Sequence, residues 1–108
     1  MAWVITQDGS AVNLDKISNL YFEDGTGRDW GPVAILHAAE PGVLEDVGGD
    51  DRVMTVIHEL CVVRGDSDNA ATLLRALLEA AHNQAVVDIT DVVKSAGFEL
   101  WHRMDHHP

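Results

Sequence analysis

Hydrophobic and polar positions alternate at strand spacing through most of residues 1–64, and change to helical spacing after Gly65. "AWVIT" is rich in strand formers, and "QDGS" carries the Asp-Gly pair favoured in hairpin turns. In "AVNL", Val12 and Leu14 fall on one face and Asn13 on the other; Asp15 and Lys16 then make a polar turn. In "ISNLYFE", Leu20 and Phe22 alternate with Tyr21 and Glu23, and "DGTGRDWGP" is a loop by its glycines and proline. "VAILHA" is apolar on both faces, as a strand inside a sheet would be. The stretch 39–52, with Pro41, Gly42, Gly48 and Gly49, lacks a period and is expected to be the longest loop. "RVMTVIHELCVVR" is a long strand broken on one face only by Thr55 and Glu59.

The clearest element follows. Asp66 and Ser67 offer caps, and Asp68 lies near the positive end of the helix dipole. Ala70, Leu73, Leu74, Leu77, Leu78 and Ala81 form a continuous apolar stripe over a helix of about 67–83. Burying its leucines would supply roughly 6 to 12 kcal/mol of gross hydrophobic stabilisation. "AVVDI" is a candidate sixth strand, and "TDVVKSAG" reads as a short helix with Thr90 as cap and Gly97 as stop. For "FELWHRM" the pattern does not choose between helix and strand.

The expectation is therefore an α+β fold and a single domain over residues 1–108. Residues 1–64 are mainly β, 66–83 form the main helix, and 85–108 form a C-terminal segment with a short helix. About five strands would form an antiparallel meander with the main helix packed on one face. Phe98, Leu100 and Trp101 imply that the C-terminal end packs on something, either the open face of the chain's own sheet or a second copy in a homodimer. Trp3 and Trp30 read as core anchors first and interface residues second.

"WVITQDGSAVNLDKISNLYFEDG", with the later "HELCVVRGDSDNAATLLRALLEA", resembles a family of small bacterial and phage-borne proteins. They open on a tryptophan-led strand, an Asp-Gly turn and "VNL", and close with a strand running into a helix rich in Ala and Leu. The likeness spans roughly the first eighty positions. It departs in the acidic stretch at 39–52 and the histidine-rich tail. The resemblance implies a fold; it carries over no activity and no site residues.

Charge narrows the function classes. Eighteen acids against seven bases give a formal net charge of -11 over 108 residues. Such a chain repels phosphate backbones and anionic membranes, so neither direct nucleic-acid binding nor membrane docking is expected. The densest acidic patch is "EDVGGDD", with Glu45, Asp46, Asp50 and Asp51. It reads either as a solvated loop or as a surface for a basic protein partner, where complementarity speeds association and selects partners. No apolar stretch approaches membrane-spanning length, no secretory signal is visible, and Cys61 is the single cysteine, so a cytoplasmic protein is expected.

Candidate chemistry is sparse. "HEL" at 58–60 lacks the second histidine of a zinc-protease helix, since position 62 is Val62. Gly25 and Gly27 begin a dinucleotide-like loop, but Trp30 stands where the third glycine belongs. Asp66 and Asp68 start like a calcium loop, yet Ala71 and Leu77 occupy its glycine and acid positions. On a regular strand, His58 and Cys61 face opposite sides, so a Cys–His pair is not expected and Cys61 reads as a buried structural thiol. In the tail, His102 and His106 would share a helical face, with Asp105 or His107 as a third ligand for zinc, nickel or copper. The alternative is a polar end that takes up metal adventitiously, with no cofactor required. The expected function is a non-enzymatic, acidic protein-interaction module with Glu45, Asp46, Asp50, Asp51 and Trp101 as its contact residues. The alternative is an acidic inhibitor, of immunity or phage counter-defence type, that blocks a basic nucleic-acid-binding site on its target.

Overall fold

The computed structural model describes residues 2–27, 31–47 and 50–102, with 43–47 and 50–53 described by their backbone alone. Among them are six strands and two α-helices in the order β1 (Trp3–Ile5), β2 (Ala11–Asn13), β3 (Asn19–Thr26), β4 (Pro32–Val47), β5 (Asp50–Arg64), α1 (Ser67–Asn83), β6 (Val86–Asp88) and α2 (Ile89–Ser95). The α+β class, the main helix, the short second helix and the sixth strand thus stand as expected.

The single meander does not. The strands form two three-stranded sheets, ordered β2-β1-β6 and β3-β4-β5. Two local features divide them. After β2 the chain winds into a 3-10 turn, Leu14–Lys16, whose leading residue Asn13 accepts from the Asp15 N–H at 3.0 Å. That turn redirects the backbone before β3 starts. β6 then returns parallel to β1, with Val4 opposite Val87, and completes a separate sheet on the edge of β1 away from β2. Both sheets nevertheless close on one core. Val4, Val12 and Val87 from the first sheet meet Leu36, Leu60 and Val63 from the second, with Leu73 and Leu77 of α1 and Ile89 and Val93 of α2.

The stretch 39–52, expected as a loop, is ribbon. β4 and β5 pair from Val33 opposite Arg64 out to Val47 opposite Asp50. Pro41 and Gly42 sit at a bulge, where Glu40 pairs with Val56 and Val43 with Met54. Pro41 cannot donate to the ladder, and Gly42 takes φ 87°, so both fit a bulge without ending the pairing. β3 stops much earlier, with Asn19 opposite Ala39. From Glu40 onward the β4–β5 hairpin is therefore a two-stranded arm projecting from the body. The radius of gyration, 15.2 Å, exceeds the roughly 13 Å of a compact chain near this length, in keeping with a projecting arm.

A second bulge lies inside the body. Leu36 pairs with Cys61 but His37 with Glu59, leaving Leu60 as the extra residue on β5. Leu60, Cys61 and Val63 all enter the core as a result. Helix α1 begins where two carboxylates converge: Asp66 accepts from the Asn69 N–H at 2.9 Å, and Asp24 of β3 accepts from the Ser67 N–H at 2.8 Å. Asp66 is the cap that the sequence suggests. In α2 the cap is Asp88 rather than Thr90, which instead donates to the Asp88 carboxylate through its N–H and hydroxyl.

The C-terminal end packs on the chain's own sheet. Leu100 bridges Val63 antiparallel, the Arg64 N–H donates to the Glu99 carbonyl, and the Trp101 N–H donates to the Val62 carbonyl at 2.8 Å. Leu100 thus shares the core face with Val63, and Glu99 and Trp101 take the opposite face. There Glu99 meets Arg64 at 3.2 Å, and the Trp101 indole lies against Gly27.

Gln7, in the β1–β2 turn, fastens this segment. Its N–H donates to the Leu60 carbonyl and its Oε1 accepts from the Val62 N–H, both at 2.8 Å. Its Nε2 donates to the Trp101 carbonyl at 2.9 Å. Gln7→Leu leaves the Val62 N–H and the Trp101 carbonyl unpaired and is expected to cost about 2–4 kcal/mol in denaturant unfolding. A cost below about 0.5 kcal/mol would remove Gln7 as the fastening. Gly27→Ala would place a Cβ 2.8 Å from the Trp101 Nε1. It is expected to lose about 1–3 kcal/mol and to red-shift tryptophan emission.

Candidate interaction surface

The arm carries the largest concentration of exposed apolar side chains. Within it Met54 is 45 % exposed and Val56 37 %, and at its base Ile57, opposite Ala39 where β3 ends, is 48 % exposed, although β5 is a core strand a few residues later. Strand alternation puts Met54 and Val56 on the face that carries Ala38 and the core, and Ile57 on the other. The stem thus offers apolar side chains on both faces. Toward the tip, the register sets Glu45 opposite Arg52, Asp46 opposite Asp51 and Val47 opposite Asp50. The four acids singled out from the sequence are thereby drawn into one short stretch of ladder, beyond the apolar stem.

Two histidine–glutamate pairs that no sequence motif marks lie across the strands. His37 Nε2 lies 2.9 Å from Glu23 Oε1, with the Tyr21 ring centroid 5.2 Å from the imidazole. His58 Nε2 lies 3.1 Å from Glu40 Oε1 at the base of the arm. The signal for them is cross-strand register: Tyr21 and Glu59 both stand opposite His37, and Ala38 stands opposite His58. In the first pair His37 is mostly buried against an exposed Glu23; in the second both partners are partly buried.

The bulge at Leu60 also changes the relation between His58 and Cys61. They stand opposite Ala38 and Leu36, two residues apart on β4, so they share a face instead of facing apart. The extra residue reverses the alternation on which the sequence expectation rested. Cys61 is nevertheless buried, and desolvation, with a smaller contribution from the Glu59 charge, pushes its thiol up to about 12. A thiol held protonated at neutral pH is a poor nucleophile and a poor metal ligand.

Of the tail, Trp101 is half-buried against its own sheet, and His102 is exposed with Nδ1 3.2 Å from the Gln7 Nε2. Residues 99–101 run extended along β5, not as a helix. Asp105, His106 and His107, like Trp30, lie outside the described residues, which contain no group of three or more His, Cys, Asp or Glu able to hold a metal ion. No described helix is long and apolar enough to cross a membrane.

In native protein at pH 8, Cys61 is expected to resist a disulfide reagent and to react only as the chain unfolds in urea; rapid labelling without denaturant would contradict the burial. A folded-state value above the ordinary 9.0 also fixes the sign of linkage. The contribution is full below about pH 9 and is lost as pH rises toward 12. Cys61→Ser should therefore flatten part of the alkaline fall in stability.

No family model, no curated protein and no solved structure matches this chain.

Proposed function

We propose that the protein is a non-enzymatic interaction module that engages a basic protein partner through the β4–β5 arm. The observation that carries this reading is the length mismatch within one sheet: β4 and β5 stay paired well beyond the last residue that β3 covers. A bare two-stranded ribbon has little to stabilise it in water, and this one exposes Met54 and Val56, with Ile57 exposed at its base. Its arrangement suits a contact in which the apolar stem supplies buried area and the acidic tip supplies steering and selection. Glu45, Asp46, Asp50 and Asp51 are the residues assigned to the basic surface, and Met54, Val56 and Ile57 to the apolar contact.

A photo-reactive residue in place of Ile57 tests this reading in cells, with the same residue in place of Asn69 on α1 as control. The expected result is one dominant adduct, with a basic protein, specific to the arm and lost when the four tip acids are changed to Lys. Equal adducts from both positions, or an adduct indifferent to charge reversal, would contradict it. If the captured protein binds nucleic acid and nucleic acid displaces it, the module acts as an inhibitor that occupies a phosphate-binding cleft.

A further inference from the structure

A second surface shares no residue with the arm. The C-terminal half of α1 and the β6–α2 segment enclose a groove of about 400 Å³. Its floor includes Ala76 and Ala80, one turn apart on α1, with Val92 of α2. Its banks carry Glu79 on the α1 side and Asp88 and Asp91 on the other. All three acids are exposed, and among the described residues no lysine or arginine lines the groove.

We infer that this groove is a docking site for a basic amphipathic helix of a protein partner, with small apolar residues along one stripe and Lys or Arg on both flanks. Three features select that occupant. The apolar residues that α1 contributes are alanines, Ala76 and Ala80, beside the polar Asn83, so another helix can approach closely there; a helix laid in a groove contacts it through i, i+4 positions such as these. The negative charge stands on both banks, which suits an occupant with cations on either side of its apolar stripe. The third is the chain's own net charge of -11, which disfavours a second copy as occupant and favours a cationic one. The carboxylates stay solvated in the free protein, so pairing them at the rim adds selection and association rate more than buried-charge energy. Asp88 already caps α2 and is the least free of the three.

The inference goes beyond the arm reading, and its test separates the two. The probe is a synthetic amphipathic helix with an Ala/Leu stripe flanked by Lys and Arg, titrated into the full chain at about 0.15 M salt and followed by amide chemical shifts. Shifts are expected to concentrate in residues 76–96. E79K/D91K should weaken binding at least about tenfold, a difference of about 1.4 kcal/mol. D15K/D68K, which changes net charge equally outside the groove, should stay within about twofold of the parent, well inside that tenfold step. Circular dichroism of each variant guards against unfolding. Reversal of the four arm acids should leave this binding unchanged. Equal loss in both double variants, shifts spread over the arm, or no binding would overturn the groove inference. Loss confined to the arm variant would overturn it and leave the arm reading standing.

Discussion

The outer edge of β5 is the constraint on which the structure turns. A buried strand edge must satisfy every N–H and C=O, and among the described residues β5 from Leu60 to Val63 runs through the core with no fourth strand of its sheet beside it. Two unrelated pieces of chain solve this. Gln7 supplies both a backbone donor and a side-chain acceptor to the Leu60–Val62 stretch, and the Glu99–Trp101 segment takes the Val62 carbonyl and the Arg64 N–H. Because Gln7 belongs to the β1–β2 turn, the same hydrogen bonds that close the edge also hold the first sheet against the second. The Trp101 indole then lies against Gly27 on the face opposite the core, the face that by register also carries Val33 and Val62.

The two bulges divide β5 into a core half and an arm half. At Leu60 the extra residue lets consecutive side chains enter the core, so the strand is buried densely where Gln7 and the C-terminal segment meet it. At Pro41–Gly42 the ladder breaks register and resumes, and beyond that point no third strand joins it. The body gathers both sheets and both helices on one core, while the arm extends past β3 as a ribbon that exposes Met54 and Val56.

Much of this was legible in the residues, and what was not has identifiable causes. Alternation located the strands, and the Ala/Leu stripe with Asp66 located α1, because both are local patterns that tertiary packing reinforced. Pro41 and Gly42 are breaker signals, yet a bulge absorbs both, and the residues that follow them carry no strand period to offset that signal. The division into two sheets was invisible because it depends on β6 choosing β1 across most of the chain length. The same holds for Gln7, an ordinary turn residue by sequence. The acids of the arm were found by composition, but their convergence came from register. The His–Glu pairs and the α1–α2 groove bring together residues from different elements, and no spacing rule reaches them.

Backbone nuclear Overhauser effects across the arm in solution are the decisive measurement. Cross-strand contacts are expected between Val43 and Met54 and between Glu45 and Arg52, with the register step at Pro41–Gly42. Absence of those contacts, with coil-like shifts from Val43 to Met54, would make the stretch a loop and remove the element on which the proposed function rests.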